Sequence, residues 1–522
     1  MGWIRYLPTL LVLPLSLGPV LLGHRHLPFV DDAYYYMIIA DSILASGESA
    51  AMPGVLTNGY HPLWLGVLVA VGSIVDLTPF AIRIVEIVCI LAGFAILIWT
   101  LQIRSVLGSA VLVLALMPLL ERVALLGMET SLLFTAMALF LGLMLNPSCV
   151  SRRIYWPLVA LAAILTVAAR LDAVFFVGAI LLAVSGYFWA RLGVLAALSA
   201  ALIAYMLINA QVFGAAMPVS GAVKALGAPL LNTLYFPVDE LSWSGLASLF
   251  DQPIAYVLGD LAVQGRLLVH FLVLPWVLCA LSLLIMAAIP AGASGSRQTR
   301  RVLLGAVGGF GLFGAKLMFG TSWIAWSWYG YPAFVLLLPL VMLLREILGE
   351  LKHRGVFLAA LAIALVAVNQ HRLTREVREP GWFQVNREFV DKVRPIVGNQ
   401  PIAMGDRAGS FAWDLGTGLF QIEGLLNDAE YVAHLRRGGE QRGVICAAGV
   451  RFFVSYEPPL GAYESYRAPI FQPGLTLVDG GYVTVLALEQ RASLVDPEGY
   501  GPDFAKLPNP AIYLWELDCA QG

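Results

Sequence analysis

Over most of this chain the apolar residues follow neither a helix period nor a strand period; they run on without interruption. Stretches of spanning or near-spanning length lie near 6–23, 62–76, 80–101, 106–120, 129–146, 156–169, 173–190, 192–210, 265–288, 302–320, 324–344 and 356–370. A helix crosses a bilayer in about 20 residues, with about 17 tolerated. The pattern therefore predicts a polytopic α-helical membrane protein of about 11 to 13 transmembrane helices, the shorter ones tilted, broken or re-entrant. Beyond residue 371 the pattern changes. Short apolar runs at Arg451–Tyr456 and Tyr482–Leu488 read as strands, and Asp428–Arg437 reads as a helix begun by an Asn427/Asp428 cap. The tail is predicted to be a soluble α/β domain.

Composition sharpens that division. Of 522 residues, 59% are hydrophobic and 13% charged, against about 25% charged in soluble proteins. A soluble multidomain enzyme is excluded, and so is a disordered chain, whose composition is the reverse. From Arg372 onward 19 acidic and 14 basic residues occupy 151 positions, whereas the preceding 371 hold only 15 and 18. Residues 1–371 are thus expected to be a lipid-embedded domain and 372–522 a soluble one, with the boundary near HRLTREVREP at 371–380. A net charge of −2 leaves no basic footprint for nucleic acid. Cys89, Cys149 and Cys279 fall in or beside apolar stretches and read as packing residues. Cys446 and Cys519 both lie in the soluble part, where a disulfide is open to them in an oxidising compartment.

Lys and Arg in short connections set orientation. Arg152 and Arg153, Arg191, then Arg297, Arg300 and Arg301, then Arg345, Lys352 and Arg354 sit in alternate connections, which are expected in the cytoplasm. Two long loops, near 24–61 and 211–263, and the soluble part then lie outside. Counting forward from Arg5 inside also puts 24–61 outside, but the two counts differ by one crossing. The interruptions at Pro118, Glu121, Arg122 and Gly127 point to the interval 100–170 as its place.

The first outer loop carries FVDDAYYYMIIADSILASG and then TNGYHPLW. Tyrosines favour the membrane interface, so this helical stretch would hold Asp31 and Asp32 at headgroup depth. One carboxylate there could take a proton from a hydroxyl while the other bound a divalent cation or oriented the base. The plainer account is a helix N-cap with extra negative charge on the helix dipole.

This series resembles bacterial membrane glycosyltransferases of the GT-C superfamily, which draw sugars from polyprenyl-phosphate donors. GMET at 127–130, ARLDAVF at 169–175, FGAAMPVSGAVK at 213–224 and WSWYGYP at 326–332 are similar to further segments of that group. GDRAGSFAWDLG (405–416) and EGLLNDAEYVAHLRRG (423–438) resemble its outer C-terminal domain. The resemblance implies a multi-pass protein of the inner (plasma) membrane, with an inverting transfer on the outer face. The acceptor would be a cell-envelope glycan, lipid or protein. The base would fall on Asp31 or Asp32, with Asp32 preferred beside the tyrosine-rich helix. Relatives divide on metal, so magnesium or manganese at Asp31 and Asp32 is the one cofactor left open.

The leaving polyprenyl phosphate needs positive charge to hold it. Lys316 lies within a span near its outer end, where a cavity or plain snorkelling would account for it. Lys224 ends the MPVSGAVK segment within a donor's reach, or is an ordinary loop lysine. Arg170 and Asp172 read first as a structural pair, with Arg170 the donor-binding candidate of the two; His61 could orient the acceptor or assist proton transfer, but reads first as an interfacial histidine satisfied by backbone. Tyr35 belongs to the tyrosine run as a substrate-binding candidate. Glu129 either caps its helix or faces the cavity, and Arg83 with Glu86 reads as an internal pair. Trp323, Trp326, Trp328 and Tyr329 suit an aromatic belt better than a sugar-stacking platform. GDRAGS lacks the lysine and spacing of a phosphate loop and reads as a strand-to-helix turn. Two rivals differ in class. A secondary transporter would need internal repeats, and none of 20–50 residues appears; a non-catalytic scaffold for lipid-linked sugars is the other.

Overall fold

The computed structural model describes residues 28–103, 106–226, 274–288, 297–321, 327–348, 381–405, 407–437, 441–456, 465–467, 482–484, 489–495, 511–517 and 519. The expected spans at 6–23 and 356–370, most of the second outer loop, the boundary at 371–380, Lys352, Arg354, Trp323 and Trp326 lie outside these residues.

The chain is mostly helical. Helix α1 (Asp31–Ser46) leads into a small hairpin, β1 (Ala50–Met52) with β2 (Val55–Leu56), then α2 (Pro62–Gly72). There follow α3 (Pro79–Thr100), α4 (Val106–Val123), α5 (Thr130–Leu145), α6 (Arg152–Ala169), α7 (Val174–Ala183), α8 (Phe188–Phe213) and the single turn α9 (Val219–Val223). Then come α10 (Leu274–Ala288), α11 (Arg297–Gly320) and α12 (Pro332–Leu348). Among the described residues, α3, α6 and α8 are long and apolar enough to cross a membrane.

Contacts define two ends of this bundle. At one end Glu86 in the second turn of α3 accepts the Gly127 N–H at 2.5 Å and pairs with Arg83 at 2.8 Å, as the internal pair expected. Arg83 also lies over the Phe29 ring, 4.4 Å from its centroid. At the opposite end Asn146 donates to the Thr100 carbonyl (2.7 Å) and Gln298 to the Met144 carbonyl (2.8 Å). So α3 runs from the first end to the second, α4 returns, α5 descends and α6 climbs back.

Helix α2 breaks the alternation. Its 11 residues span only about 16 Å at 1.5 Å per residue, half a bilayer's hydrocarbon. Trp64 near its start donates to the Gly127 carbonyl at 3.2 Å, and at its end a Cβ on Gly72 would meet Leu44 of α1. Both ends of α2 therefore stay against α1, and α3 starts on the side where α2 started. The surplus crossing of the sequence count is α2, not a segment of 100–170. With α2 removed, Arg152, Arg153, Arg191, Arg297, Arg300 and Arg301 all fall at the end opposite α1. The run 173–190 is also two pieces: α7 stops at Ala183 and α8 begins at Phe188, after a turn with positive φ at Gly186 and Tyr187. Against α7 lies α11, so close that a Cβ on Gly305 would sit 2.5 Å from the Ile180 Cα and one on Gly309 2.8 Å from the Phe176 Cα. Small residues four apart permit such backbone approach.

The C-terminal part adds α13 (Gly381–Val397), β3 (Ile402–Met404), α14 (Ala408–Leu415), β4 (Leu419–Gln421), α15 (Ala429–Arg437), α16 (Arg442–Ala447) and β5 (Phe452–Ser455). It continues with β6 (Ser465–Arg467), β7 (Tyr482–Thr484), β8 (Glu489–Val495) and β9 (Ala511–Glu516). Five strands make one sheet in the order β4-β3-β5-β9-β8, parallel through β3, β4 and β5 and antiparallel from β5 to β9 and β8. Phe383, Phe389, Val390, Val393 and Val397 recur at helical spacing on α13 and are buried. Asp428 accepts the Tyr431 N–H at 2.8 Å and is the cap of α15. GDRAGS is the β3-to-α14 turn expected of it, and Cys446 is bonded to Cys519, 73 positions on.

Candidate active site

The N-termini of α1, α2 and α5, the C-terminus of α6, the α9 turn and the Ser327–Gly330 turn meet at one end of the bundle. Between them lies a cavity open to solvent, with Asp32, Glu129, Arg170, Lys224 and Tyr329 on its wall. Tyr35, Tyr36, Tyr60 and His61 line it from the first loop, and Leu425 and Leu426 of the C-terminal part roof it. Seven of the segments that carry the resemblance thus give residues to one cavity, although they stand nearly 400 positions apart.

Each side chain is held for a local reason. Asn58 of TNGYHPLW is fully buried. It donates to the carbonyls of Ala215 and Met217, both at 3.3 Å, and accepts the Val219 N–H at 2.9 Å. That stitch ties the first outer loop to α9, and Lys224 follows directly. Thr321 donates to the Lys224 carbonyl at 2.9 Å, and the ammonium lies 5.9 Å from the Tyr329 ring centroid. Burial works against the charge on Lys224, but Tyr329 and Asp32 outweigh it and raise its pKa above the ordinary lysine value. Asp32 and Lys224 therefore line the same cavity as opposite charges that act on each other.

Behind them is a buried polar network. Arg170, 2% exposed, donates to Glu129 Oε1 at 2.6 Å and to Asp172 Oδ1 at 2.9 Å, and its guanidinium lies 4.5 Å from the Tyr329 ring centroid. Tyr331 donates to Asp172 at 3.0 Å, and Tyr36 to Glu129 Oε2 at 3.1 Å. The Tyr36 oxygen in turn accepts the His61 N–H at 3.1 Å, and burial followed by the Glu129 charge raises its pKa well above the usual phenol value. His61 Nδ1 accepts the Leu171 N–H at 3.4 Å, so the ring proton sits on Nε2, 3.7 Å from Glu129 Oε1. Burial lowers the imidazole pKa despite that carboxylate, and His61 is neutral at pH 7.

These contacts separate the candidates. Glu129 makes no capping bond; it joins the network and the cavity wall. Arg170 pairs with Asp172 as expected but also carries Glu129, so its charge is already answered twice. Lys316 is exposed on α11 and is not on the cavity wall, although its charge reaches Tyr329. Trp328 and Tyr329 are buried in the wall, not part of a lipid-facing belt.

Asp31 differs most from expectation. Its Oδ2 accepts the Gly409 N–H at 2.9 Å, and its Oδ1 accepts the Ser410 N–H at 2.9 Å and the Ser410 hydroxyl at 3.0 Å. The carboxylate is turned to the start of α14, while Asp32 is on the cavity wall. No group of three or more His, Cys, Asp or Glu suited to a metal occurs among the described residues. The sequence offered no sign of Asn58, Tyr36, Ser410 or Leu425 as site residues, because each is defined by a partner far along the chain.

No protein-family model and no curated protein sequence matches the chain. Among solved structures it is similar to the crystal structure of ArnT from Cupriavidus metallidurans bound to undecaprenyl phosphate. The identity is 15%, the alignment covers 83% of this chain and 88% of that one, and the TM-score is 0.46.

Proposed function

We propose that this protein is an inverting membrane glycosyltransferase that moves a sugar from a polyprenyl-phosphate donor to an envelope acceptor, with Asp32 as the base. The observation that carries the reading is that Asp32, Lys224 and Tyr329 line one cavity at a bundle end, with the Asp32 charge acting on Lys224. An acceptor hydroxyl attacks the anomeric carbon and passes its proton to Asp32 as the new bond forms. The bond from that carbon to the phosphate oxygen breaks, and the polyprenyl phosphate leaves as an anion steadied by Lys224. A double displacement would need a second carboxylate as nucleophile. Asp31 and Glu129 are each committed to other donors, so a single displacement with inversion fits the wall.

Two further features favour an extracytoplasmic cavity. Arg152, Arg153, Arg191, Arg297, Arg300 and Arg301 gather at the end away from the cavity, which favours a cytoplasmic position for that end. The Cys446–Cys519 bond in the part that roofs the cavity suits an oxidising, extracytoplasmic space.

Purified protein incubated with a panel of polyprenyl-phosphate sugars, with and without chelator, tests the reading and identifies the donor. In that assay Asp32→Asn should lower turnover about 10²- to 10⁴-fold while donor binding persists. Wild-type turnover by the variant would remove Asp32 from the role.

A further inference from the structure

We infer that Asp31 is a positioning residue, a latch that fixes the C-terminal part onto α1 and so sets Asp32 and the cavity roof. The inference rests on the proposed transferase reading for its kinetic arm only. The Asp31 carboxylate meets three donors at the start of α14, two backbone amides and the Ser410 hydroxyl. Anions are favoured at helix N-termini, and here the anion comes from a residue some 378 positions earlier. The fit is close. A Cβ on Gly409 would lie 2.4 Å from the Asp31 carbonyl oxygen and 2.9 Å from the Tyr35 ring.

The latch continues inward and outward. Asn386 of α13 donates to the Ser410 hydroxyl at 3.0 Å and bonds Tyr456 at the end of β5, so the contact reaches the sheet. On the other side Asp31 is the residue before Asp32, in the same first turn of α1. The segment after β4 then closes the cavity. Its Leu425 carbonyl lies 2.0 Å from where a Cβ on Gly59 would be, and Gly424 packs on Val223 next to Lys224. Releasing α14 from Asp31 would loosen the turn that carries Asp32 and lift Leu425 and Leu426 from above it. Asp31 thus acts on the chemistry through geometry, not through the substrate.

The test joins kinetics to amide hydrogen exchange. Asp31→Asn places an NH2 group against N–H donors, and should lower kcat about 10- to 100-fold, with donor Kd unchanged and protection lost at residues 409–415. A staple should undo both effects. A Cβ on Gly418 would lie 3.0 Å from the Met52 Cβ, under the roughly 3.5–4.5 Å of a disulfide, so Met52→Cys with Gly418→Cys bonds β1 to the residue before β4 once the two part by about half an ångström. Added to Asp31→Asn, the staple is expected to restore protection and kcat together. Restored protection without restored kcat would overturn the inference, because Asp31 would then act in the reaction itself. Unchanged kcat and protection in Asp31→Asn would overturn it too. Should that variant not fold, Ser410→Ala removes one of the three bonds and reads the same contact. If the wild type turns over no donor, the transferase reading fails while the exchange arm still decides the latch.

Discussion

Neighbouring residues of one type can have separate fates, and Asp31 and Asp32 do. Sequence alone shows two acids before a tyrosine run and no reason to split them. Their difference comes from Gly409 and Ser410, which claim Asp31, and from Lys224, which faces Asp32. Glu129 is likewise undecided until Arg170 and Tyr36 fix it. His61 gives a prediction at this scale. Its folded pKa is depressed by burial, so near neutrality it is uncharged in both folded and unfolded chains and costs nothing. Below its ordinary value of about 6.5 the unfolded chain takes up the proton first, and stability falls with pH. Thermal unfolding in detergent between pH 7.5 and pH 5.5 should show a smaller loss of Tm for His61→Asn than for the wild type. Equal losses would mean that another group governs the acid limb.

At the scale of elements, most apolar helices were legible because water rarely tolerates unbroken apolar runs of that length and a bilayer requires them. Helix α2 was not. PLWLGVLVAVG is as apolar as a span, but Trp64, Leu65 and Leu68 spend that character on packing within the protein, and hydropathy cannot tell a lipid neighbour from a protein one. The break at Gly186 and Tyr187 is hidden for a related reason, since the residues on both sides remain apolar. The corrected path makes a direct prediction. A cysteine at Ser73, between α2 and α3, should react with an impermeant thiol reagent from the same side as one at Glu48. A cysteine at Ser151 should react only from the other side. Labelling of positions 73 and 151 from one side would return α2 to the membrane.

For the whole molecule, charge density sets a sparsely charged first part apart from a charged tail, because a bilayer tolerates few charges and water demands many. What charge density could not show is how the two parts share one cavity. The Cys446–Cys519 bond holds the far end of the tail, joining α16 to the segment just beyond β9. Closing a loop of that length contributes about 4 kcal/mol in a chain-entropy account. Reduction of purified protein should therefore expose residues after Cys446 to protease well before the bundle helices are cut. Equal resistance with and without reductant would show that the sheet stands without the bond.

The roof over the cavity also imposes an order in time. Leu425 and Leu426 stand late in a chain of 522 residues, whereas Asp32 is made near the start. A ribosome that has threaded only the helical bundle into the bilayer has therefore built an open trough with no ceiling. The cavity therefore stays unroofed until the last third of the polypeptide has been made and folded.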